Sequence, residues 1–168
     1  MTVAQVVVRR AGAEERSAVA RIVAQRWGST QIVSRDRVHD AEAAEAFVAL
    51  RGSEIVGSAT FVVHDAEAEL LTLDSLDEGA GIGGALVDAV AVAGAATAAN
   101  ARQLVLSTTN DNLQALGFYQ RRGSRLTELV PGAIGRAREH KPSIPLVGSS
   151  RIPIRDELVL VRDLDPVQ

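Results

Sequence analysis

The sequence predicts one α/β domain spanning residues 1–168, with a mixed sheet that is mostly antiparallel and contains a single βαβ crossover. Three observations lead to this class. Short β-branched runs cluster in the first half, a glycine-rich turn links a strand to a long alanine-rich helix, and strands alternate with helices thereafter. Hydrophobic residues make up 46% of the chain and charged residues 23%, which is typical of a domain that buries a core.

The first half predicts one helix among antiparallel strands. VAQVVV, residues 3–8, is a short β-branched strand, and residues 13–26 place valine and isoleucine at helical spacing. The stretch after this helix is predicted as short irregular or helical structure. Residues 47–64 contain two apolar runs on either side of RGSE, which predicts a hairpin.

The middle of the chain predicts the crossover. ELLTLDSL, beginning at Glu69, is a strand that leads directly into the glycine-rich turn. Residues 83–99 are rich in Ala, Leu and Val and predict a long helix, and QLVLST, residues 103–108, predicts the next strand. A strand, helix and strand in this order make the two strands parallel, with a right-handed connection.

The last part predicts one more helix and two strands. NDNLQALGFYQRRG predicts a helix that closes at Gly123, and SRLTELV and residues 154–164 predict strands. Between these strands lies the segment 131–153, which contains four prolines and several apolar residues. Connections longer than about 15 residues are uncommon in compact domains, so we expect a packed surface loop with a functional role.

Composition excludes several classes of function. The net charge of −3 argues against nucleic-acid binding, and we find neither an apolar run of about 20 residues nor a signal peptide. The absence of cysteine excludes disulfides, thiolate metal sites and a cysteine nucleophile. His39, His64 and His140 are far apart and lack metal-ligand spacing, so no metal is expected. The default compartment is the cytoplasm.

The glycine-rich turn EGAGIGGAL, residues 78–86, allows three interpretations. Gly79, Gly81 and Gly84 satisfy the dinucleotide pattern G-x-G-x-x-G between a strand and a helix. Asp111 lies somewhat beyond the expected acidic position, and only 57 residues follow it, which is too few for a doubly wound NAD-binding protein. The turn could also be purely structural, and the third interpretation is an acyl-coenzyme A site.

Two motifs together favour the third interpretation. EGAGIGGAL followed by NDNLQALGFYQRRG resembles the GNAT superfamily of acyl-coenzyme A N-acyltransferases over nearly the whole chain. The tail KPSIPLVGSSRIPIRDELVL is similar to that of a bacterial branch whose acceptors are mostly unassigned. The family's motif positions fall on Glu78, Gly81, Gly83, Asn112, Ala115, Phe118, Tyr119 and Gly123.

The resemblance implies a GNAT-like fold, acetyl-CoA (coenzyme A) as the cofactor, and backbone N–H groups at a helix N-terminus that bind its pyrophosphate. Glu78 departs from the family's Arg or Gln and would repel a phosphate by up to roughly 4 kcal/mol at 4 Å, so it must point away or weaken binding. The expected cofactor-binding residues are Leu73, Ser75, Gly79, Ala80, Gly81, Ile82, Gly83, Gly84 and Asn112.

Acyl transfer to an amine requires a group that removes the amine's proton and one that stabilises the leaving thiolate. By resemblance, Glu69 occupies a common position of the family's base, and Tyr119 that of the thiolate's proton donor. A phenol pKa near 10 and a thiol pKa near 8.5 make hydrogen bonding to the sulfur the safer role for Tyr119. Strand alternation puts Glu69 and Asp74 on opposite faces unless a bulge intervenes.

The sequence thus predicts an N-acetyltransferase that transfers acetyl from acetyl-CoA to a small-molecule or peptide amine by direct attack. A non-catalytic acyl-CoA-binding module on the same fold is the alternative, and an NAD-binding protein comes third. Either Asp156 or Glu157 should face inward near the site, and the expected assembly is a homodimer. The expected acceptor-side residues are Trp27, Asp74, His140 and Asp156, with Lys141 in the long loop as a further candidate.

Overall fold

The computed structural model of the chain describes residues 5–97 and 101–165. Nine strands and four helices are found in this part of the chain. In order they are β1 (Val6–Arg10), α1 (Ala13–Trp27), β2 (Gln31–Ser34), β3 (Arg37–Asp40), β4 (Glu45–Arg51), β5 (Glu54–His64), β6 (Glu67–Ser75), α2 (Ile82–Ala95), β7 (Gln103–Thr109), α3 (Leu113–Arg121), β8 (Arg125–Val130), α4 (Ala133–His140) and β9 (Glu157–Asp163).

Seven strands form one sheet in the order β1-β4-β5-β6-β7-β9-β8, and β2 and β3 form a separate hairpin. Every pair in the large sheet is antiparallel except β6 and β7, which are parallel and joined through α2. This confirms the predicted mixed sheet with one βαβ crossover. A doubly wound nucleotide-binding sheet would be parallel, so the NAD-binding alternative does not fit the fold.

The sheet carries a hydrophobic core on each face. On one face α2 packs its buried side chains, among them Leu86 and Val90, against Phe61 and Leu104, and α3 packs beside it. On the other face α1 contributes Val19 and joins residues of β2, β4 and β6. The helix that follows the glycine-rich turn and the helix that precedes the β2–β3 hairpin therefore lie on opposite sides of β6.

The two parallel strands separate halfway along their length. Pairing between β6 and β7 runs from Glu67 with Gln103 to Leu70 with Leu106 and then stops. Beyond that point β6 is paired only with β5, and β7 only with β9. The sheet therefore opens between the two strands, and the backbone of residues 71–75 has one unpaired side along this opening.

A bulge in β6 lies at the start of the opening. Thr72 pairs with Thr60 and Leu70 with Phe61, so Leu71 has no partner on β5. An extra residue of this kind reverses the alternation of side chains along the strand. As a result Glu69 and Asp74 both contact residues on the α1 side of the sheet. Strand alternation alone would have placed them on opposite faces, and the bulge is the exception that the sequence analysis allowed for.

Two predictions about local structure were wrong. The stretch after α1 forms the β2–β3 hairpin, whose turn residues Arg35 and Asp36 have φ of 53° and 58°. Glycine or asparagine usually marks such a turn, and Arg-Asp does not. The segment 131–153, expected to be a loop, contains α4, a helix of eight residues whose glycine content hid it.

The other helices and strands agree with the predictions to within a few residues. The predicted start of the first strand at Val3 and the predicted end of the long helix at Ala99 lie outside the described residues. None of the described helices is long and apolar enough to cross a membrane.

Candidate active site

The glycine-rich turn connects β6 to α2 and presents backbone donors. Gly79 and Gly81 have φ of 82° and 74°, a left-handed conformation that side chains disfavour. The first bond inside α2 runs from the N–H of Ala85 to the carbonyl of Gly81. The N–H groups of residues 82–84 therefore precede the helical ladder and are available to an anion at the helix N-terminus.

A cavity of about 510 Å³ lies beside this turn, between the start of α2 and α3. Nine of the residues named from the sequence line it together, namely Leu73, Ser75, Gly79, Gly81, Ile82, Gly83, Gly84, Asn112 and Tyr119. Ala80 is exposed and does not line it. Six further residues line the cavity although the sequence did not mark them as site residues, namely Arg26, Gln114, Ala115, Phe118, Arg121 and Arg122.

Arg122 holds a positive charge against the first turn of α2. Its guanidinium carbon lies 4.8 Å from the centre of the Phe118 ring, and a Cβ added at Gly84 would overlap the guanidinium. Glu78 lines the same cavity and is exposed. The cavity therefore has an arginine from α3 near the helix start, although its loop carries an acidic residue. The sequence feature that could have indicated this positive charge is the pair Arg121–Arg122, which follows shortly after Tyr119.

Asn112 begins α3. Its side-chain Oδ1 accepts a hydrogen bond from the Ala115 N–H at 3.1 Å, which is an N-cap, and the residue also lines the cavity. The structure therefore shows Asn112 as a helix cap, whereas its expected contact with the cofactor stays a prediction.

Tyr119 lies on α3 with 9% of its surface exposed, and it lines the cavity. Burial, together with the charge of Asp74, raises the pKa of Tyr119 well above its ordinary value. The phenol is therefore protonated at any physiological pH and can donate a hydrogen bond into the cavity.

Asp74 lies on β6 and is only 4% exposed. Its Oδ1 accepts a hydrogen bond from Arg26 Nε at 2.9 Å, and its two oxygens lie 3.2 and 3.1 Å from Trp27 Nε1. Burial raises the pKa of Asp74, and the contacts with Trp27 and Arg26 oppose this shift in part. The carboxylate is thus held at the C-terminal end of α1, near Tyr119.

A second cavity of about 370 Å³ lies on the α1 side of the sheet, and Arg26 lines both cavities. Its other lining residues come from the end of α1, from β2, from the end of β7, and from α4 and the segment after it. They are Trp27, Gly28, Ile32, Val33, Thr109, Ile134, Ala137, Lys141, Ser143, Ile144 and Pro145.

Arg138 fixes one wall of the second cavity. It donates hydrogen bonds to the carbonyls of Ile144, Pro145 and Ile154 at 3.2, 2.6 and 2.8 Å, which hold the chain after α4 against the helix. His140, expected on the acceptor side, is exposed at the end of α4 and does not line the cavity, whereas Trp27 does.

Glu69 is fully buried and lines neither cavity. It accepts a hydrogen bond from Ser34 Oγ at 2.9 Å, and its other oxygen lies 2.9 Å from His64 Nε2. Arg35 and His39 approach to 3.8 Å, and burial lowers the pKa of His39. Glu69 thus anchors the β2–β3 hairpin to β6.

The inward carboxylate at the start of β9 is Glu157, not Asp156. Glu157 is 6% exposed and accepts hydrogen bonds from the Arg35 N–H at 3.2 Å, and burial raises its pKa. Asp156 Oδ1 instead accepts the Gly132 N–H at 2.9 Å, which orders the residue before α4. The expectation that Asp156 contacts the acceptor therefore has no support in this geometry.

Within residues 5–97 and 101–165 no group of three or more His, Asp or Glu side chains is placed to hold a metal ion. The chemistry available to the site is that of backbone N–H groups, one buried tyrosine, one buried aspartate and several arginines.

Comparison with known proteins agrees with this geometry. A family model described as "Acetyltransferase (GNAT) family" matches residues 16–123. An uncharacterized protein of Bacillus subtilis (strain 168), YxbD, is 41% identical over 139 residues, which are 82% of this chain and 86% of that protein.

Two solved structures have the same fold. The IAA acetyltransferase from Bacillus cereus ATCC 14579 superposes with a TM-score of 0.68 at 17% identity, over 95% of this chain and 100% of that chain. A GNAT family acetyltransferase from Elizabethkingia anophelis with acetyl-CoA bound superposes with a TM-score of 0.65 at 19% identity, over 95% of this chain and 98% of that chain.

Proposed function

We propose that this chain, which belongs to the GNAT acetyltransferase family, transfers an acetyl group from acetyl-CoA to an amine that binds in the second cavity. One observation carries the proposal. Arg26 lines both cavities and donates a hydrogen bond to the buried carboxylate of Asp74, whose charge in turn raises the pKa of Tyr119 in the first cavity. A donor in one cavity and an acceptor in the other would meet at these groups.

The first cavity fits coenzyme A. The N–H groups of residues 82–84 and the guanidinium of Arg122 offer hydrogen bonds and positive charge to a pyrophosphate. The unpaired side of residues 71–75 offers backbone donors and acceptors to the amides of an extended pantetheine arm. Bound there, acetyl-CoA supplies the thioester carbonyl that an amine attacks and the thiolate that leaves.

Asp74 is the carboxylate best situated to take a proton from the amine. Like Glu69 it lines neither cavity, but it is hydrogen-bonded to Arg26, the residue that lines both, and its raised pKa brings it closer to the pH at which the enzyme works. The hydrogen bonds from Trp27 and Arg26 fix its orientation. Glu69 remains the competing candidate, but a proton could reach it only through the side chains bound to it.

Tyr119 would stabilise the departing thiolate by a hydrogen bond. Even with ordinary pKa values, moving the proton from a phenol to a thiolate is uphill by about 2 kcal/mol. Since the pKa of Tyr119 is raised further, complete transfer costs more than that. A hydrogen bond to the sulfur needs no transfer and acts as the negative charge develops.

The test is a transfer assay with a broad panel of amines. The protein is incubated with acetyl-CoA and each amine, and both released thiol and acetylated product are measured, the latter by mass spectrometry. We expect product with at least one amine. Thermal unfolding with acetyl-CoA, coenzyme A and NADH runs in parallel, and only the first two should raise the midpoint. Binding of acetyl-CoA without transfer to any amine would instead support the non-catalytic acyl-CoA-binding module.

The oligomeric state remains a prediction. β8 ends the sheet and exposes Leu126 and Leu129, which is compatible with the homodimer expected from the sequence. Light scattering after size exclusion measures it directly.

A further inference from the structure

The second cavity is apolar, with positive charge at its margin. A volume of about 370 Å³ is within the usual range of roughly 300–1,000 Å³ for small-molecule sites. Its only charged lining residues in the described part of the chain are Arg26 and Lys141, and neither Asp nor Glu lines it. The apolar wall is formed mainly by Trp27, Ile32, Val33, Ile134, Ile144 and Pro145.

The two cations differ in how they are neutralised. Arg26 pairs with Asp74 at 2.9 Å, so its charge is compensated inside the protein. Lys141 Nζ donates to the carbonyl of Gln31 at 3.1 Å, and among the described residues no carboxylate lies within 4.0 Å of it. A partly buried ammonium with one neutral acceptor has two hydrogen-bond donors left over.

Burial acts against this uncompensated charge. Desolvation lowers the pKa of Lys141, which means that the protein interior disfavours its charged form. An anionic group on a ligand would supply the missing counter-charge and accept the remaining hydrogen bonds. The same cation would repel a ligand with a second positive charge near it, although the solvent that reaches the half-buried lysine weakens this repulsion.

These observations identify a class of acceptor. We propose, on the basis of the function proposed above, that the acceptor is a small amine with an apolar body and a carboxylate, such as an apolar amino acid. Its carboxylate pairs with Lys141, its apolar part contacts the wall that includes Ile32 and Ile134, and its amine lies toward Asp74. One unpaired lysine balances one carboxylate charge, whereas a phosphate dianion would leave charge uncompensated.

The hydrogen bond between Lys141 and Gln31 allows a second explanation, in which the lysine has a purely structural role. It links the end of α4 to the start of β2, and the lysine could serve only to hold these two elements together. A structural lysine would affect stability and all ligands alike. A lysine that binds a carboxylate would affect only ligands that carry one.

Pairs of compounds that differ only in the carboxylate separate these possibilities. Leucine is compared with 3-methylbutylamine, and phenylalanine with 2-phenylethylamine, by calorimetric titration of the protein saturated with coenzyme A. We expect the carboxylated member of at least one pair to bind at least about tenfold more tightly, which corresponds to about 1.4 kcal/mol. In Lys141→Met this preference should fall below about threefold, and Lys141→Arg should retain most of it.

The control is the affinity for coenzyme A. It should be equal in the unchanged protein, Lys141→Met and Lys141→Arg, because Lys141 does not line the first cavity. Three outcomes would overturn the proposal. They are equal affinity for both members of each pair, no binding of any of the four compounds, and an unchanged carboxylate preference in Lys141→Met. The readout is binding and needs no turnover. If the carboxylate preference is found but no amine is acetylated, the proposed function fails, whereas the assignment of an apolar carboxylated amine as the ligand of the second cavity stands.

Discussion

The two cavities are built from different parts of the polypeptide. The first is formed by a continuous loop, the N-terminus of one helix and the unpaired side of a strand, so that its main donors are backbone N–H groups. The second is formed by side chains of α1, β2, β7, α4 and the segment after it. A site made of backbone tolerates changes of side chain, whereas the ligand preference of a site made of side chains depends on which side chains line it.

Because the first cavity binds through backbone groups, we expect the side chain of Glu78 to have only a small effect on coenzyme A affinity. Its carboxylate lines the first cavity, yet the N–H groups of residues 82–84 do not depend on the side chain at position 78. By contrast, a single cation, Lys141, has a large influence on which ligand suits the second cavity. Cofactor binding and acceptor choice can thus be changed separately, except at the residues between the two cavities.

The largest effect is expected where the cavities meet. Asp74→Asn should lower kcat by roughly 10²–10⁴-fold, the usual contribution of a general base. Glu69→Gln is the matched change at the competing carboxylate and should mainly lower the free energy of unfolding, because Glu69 holds the β2–β3 hairpin. Steady-state kinetics at saturating substrates and thermal unfolding of both variants check this. The reverse pattern would make Glu69 the base.

The pH profile sharpens the same test. An ionised Asp74 is needed to accept a proton, so kcat/KM should fall as the pH drops through the pKa of Asp74. Burial raises that pKa above the ordinary value of about 3.9, which moves the fall toward neutral pH. The rate that remains in Asp74→Asn should lack this acidic limb. If Asp74→Asn shows the same fall in rate at the same pH, the fall belongs to the titration of another group.

In the first cavity the largest side-chain effect should come from Arg122. Arg122→Ala should weaken coenzyme A binding by roughly 10–100-fold, since a hydrogen bond to a charged group contributes about 1.5–3 kcal/mol. Arg125→Ala, an exposed arginine on β8 that lines neither described cavity, is the control and should leave the affinity unchanged. Calorimetric titration with coenzyme A measures both. Equal affinities would mean that the backbone groups suffice.

Tyr119→Phe should separate turnover from cofactor binding. Loss of the hydrogen bond to the departing sulfur should lower kcat about tenfold, while affinity for acetyl-CoA changes less than about twofold. Single-turnover rates and binding titrations measure the two quantities independently. Unchanged turnover would remove the role assigned to the tyrosine.

The smallest effect is expected at Glu78. Glu78→Gln should tighten coenzyme A binding by only about threefold in low salt, and the gain should shrink as salt screens the exposed carboxylate. Titrations at two ionic strengths test this. A gain larger than tenfold would show that side-chain charge, rather than the backbone, controls the first cavity.

The backbone-built site was largely predictable and the side-chain-built site was not. EGAGIGGAL and NDNLQALGFYQRRG are local motifs, and they correctly placed Gly81, Asn112 and Tyr119 around one cavity. The second cavity depends on contacts between segments far apart in the chain, such as α1 with α4. No local spacing encodes these contacts, which is why the sequence could not separate His140, which is exposed, from Lys141, which lines the cavity.

The remaining wrong predictions arose because a shift of one residue changes which side chains of a strand face inward. An alternating strand pattern does not say which residue faces inward until the first residue of the strand is known, so Asp156 was chosen over Glu157. The bulge at Leu71 likewise leaves no mark in the sequence, yet it decides that Glu69 and Asp74 face the same side. The Arg-Asp turn of the β2–β3 hairpin was missed because it lacks the usual glycine.

The opening between β6 and β7 has a consequence for the protein's survival in a cell. Residues 71–75 lack a neighbouring strand on one side, and an extended ligand can take the place of that strand. A ligand at 100 times its dissociation constant adds about 2.7 kcal/mol to the free energy of unfolding. Depletion of coenzyme A should therefore expose the chain to proteolysis more often. The abundance of the enzyme would then follow the supply of its own cofactor, without any dedicated regulator.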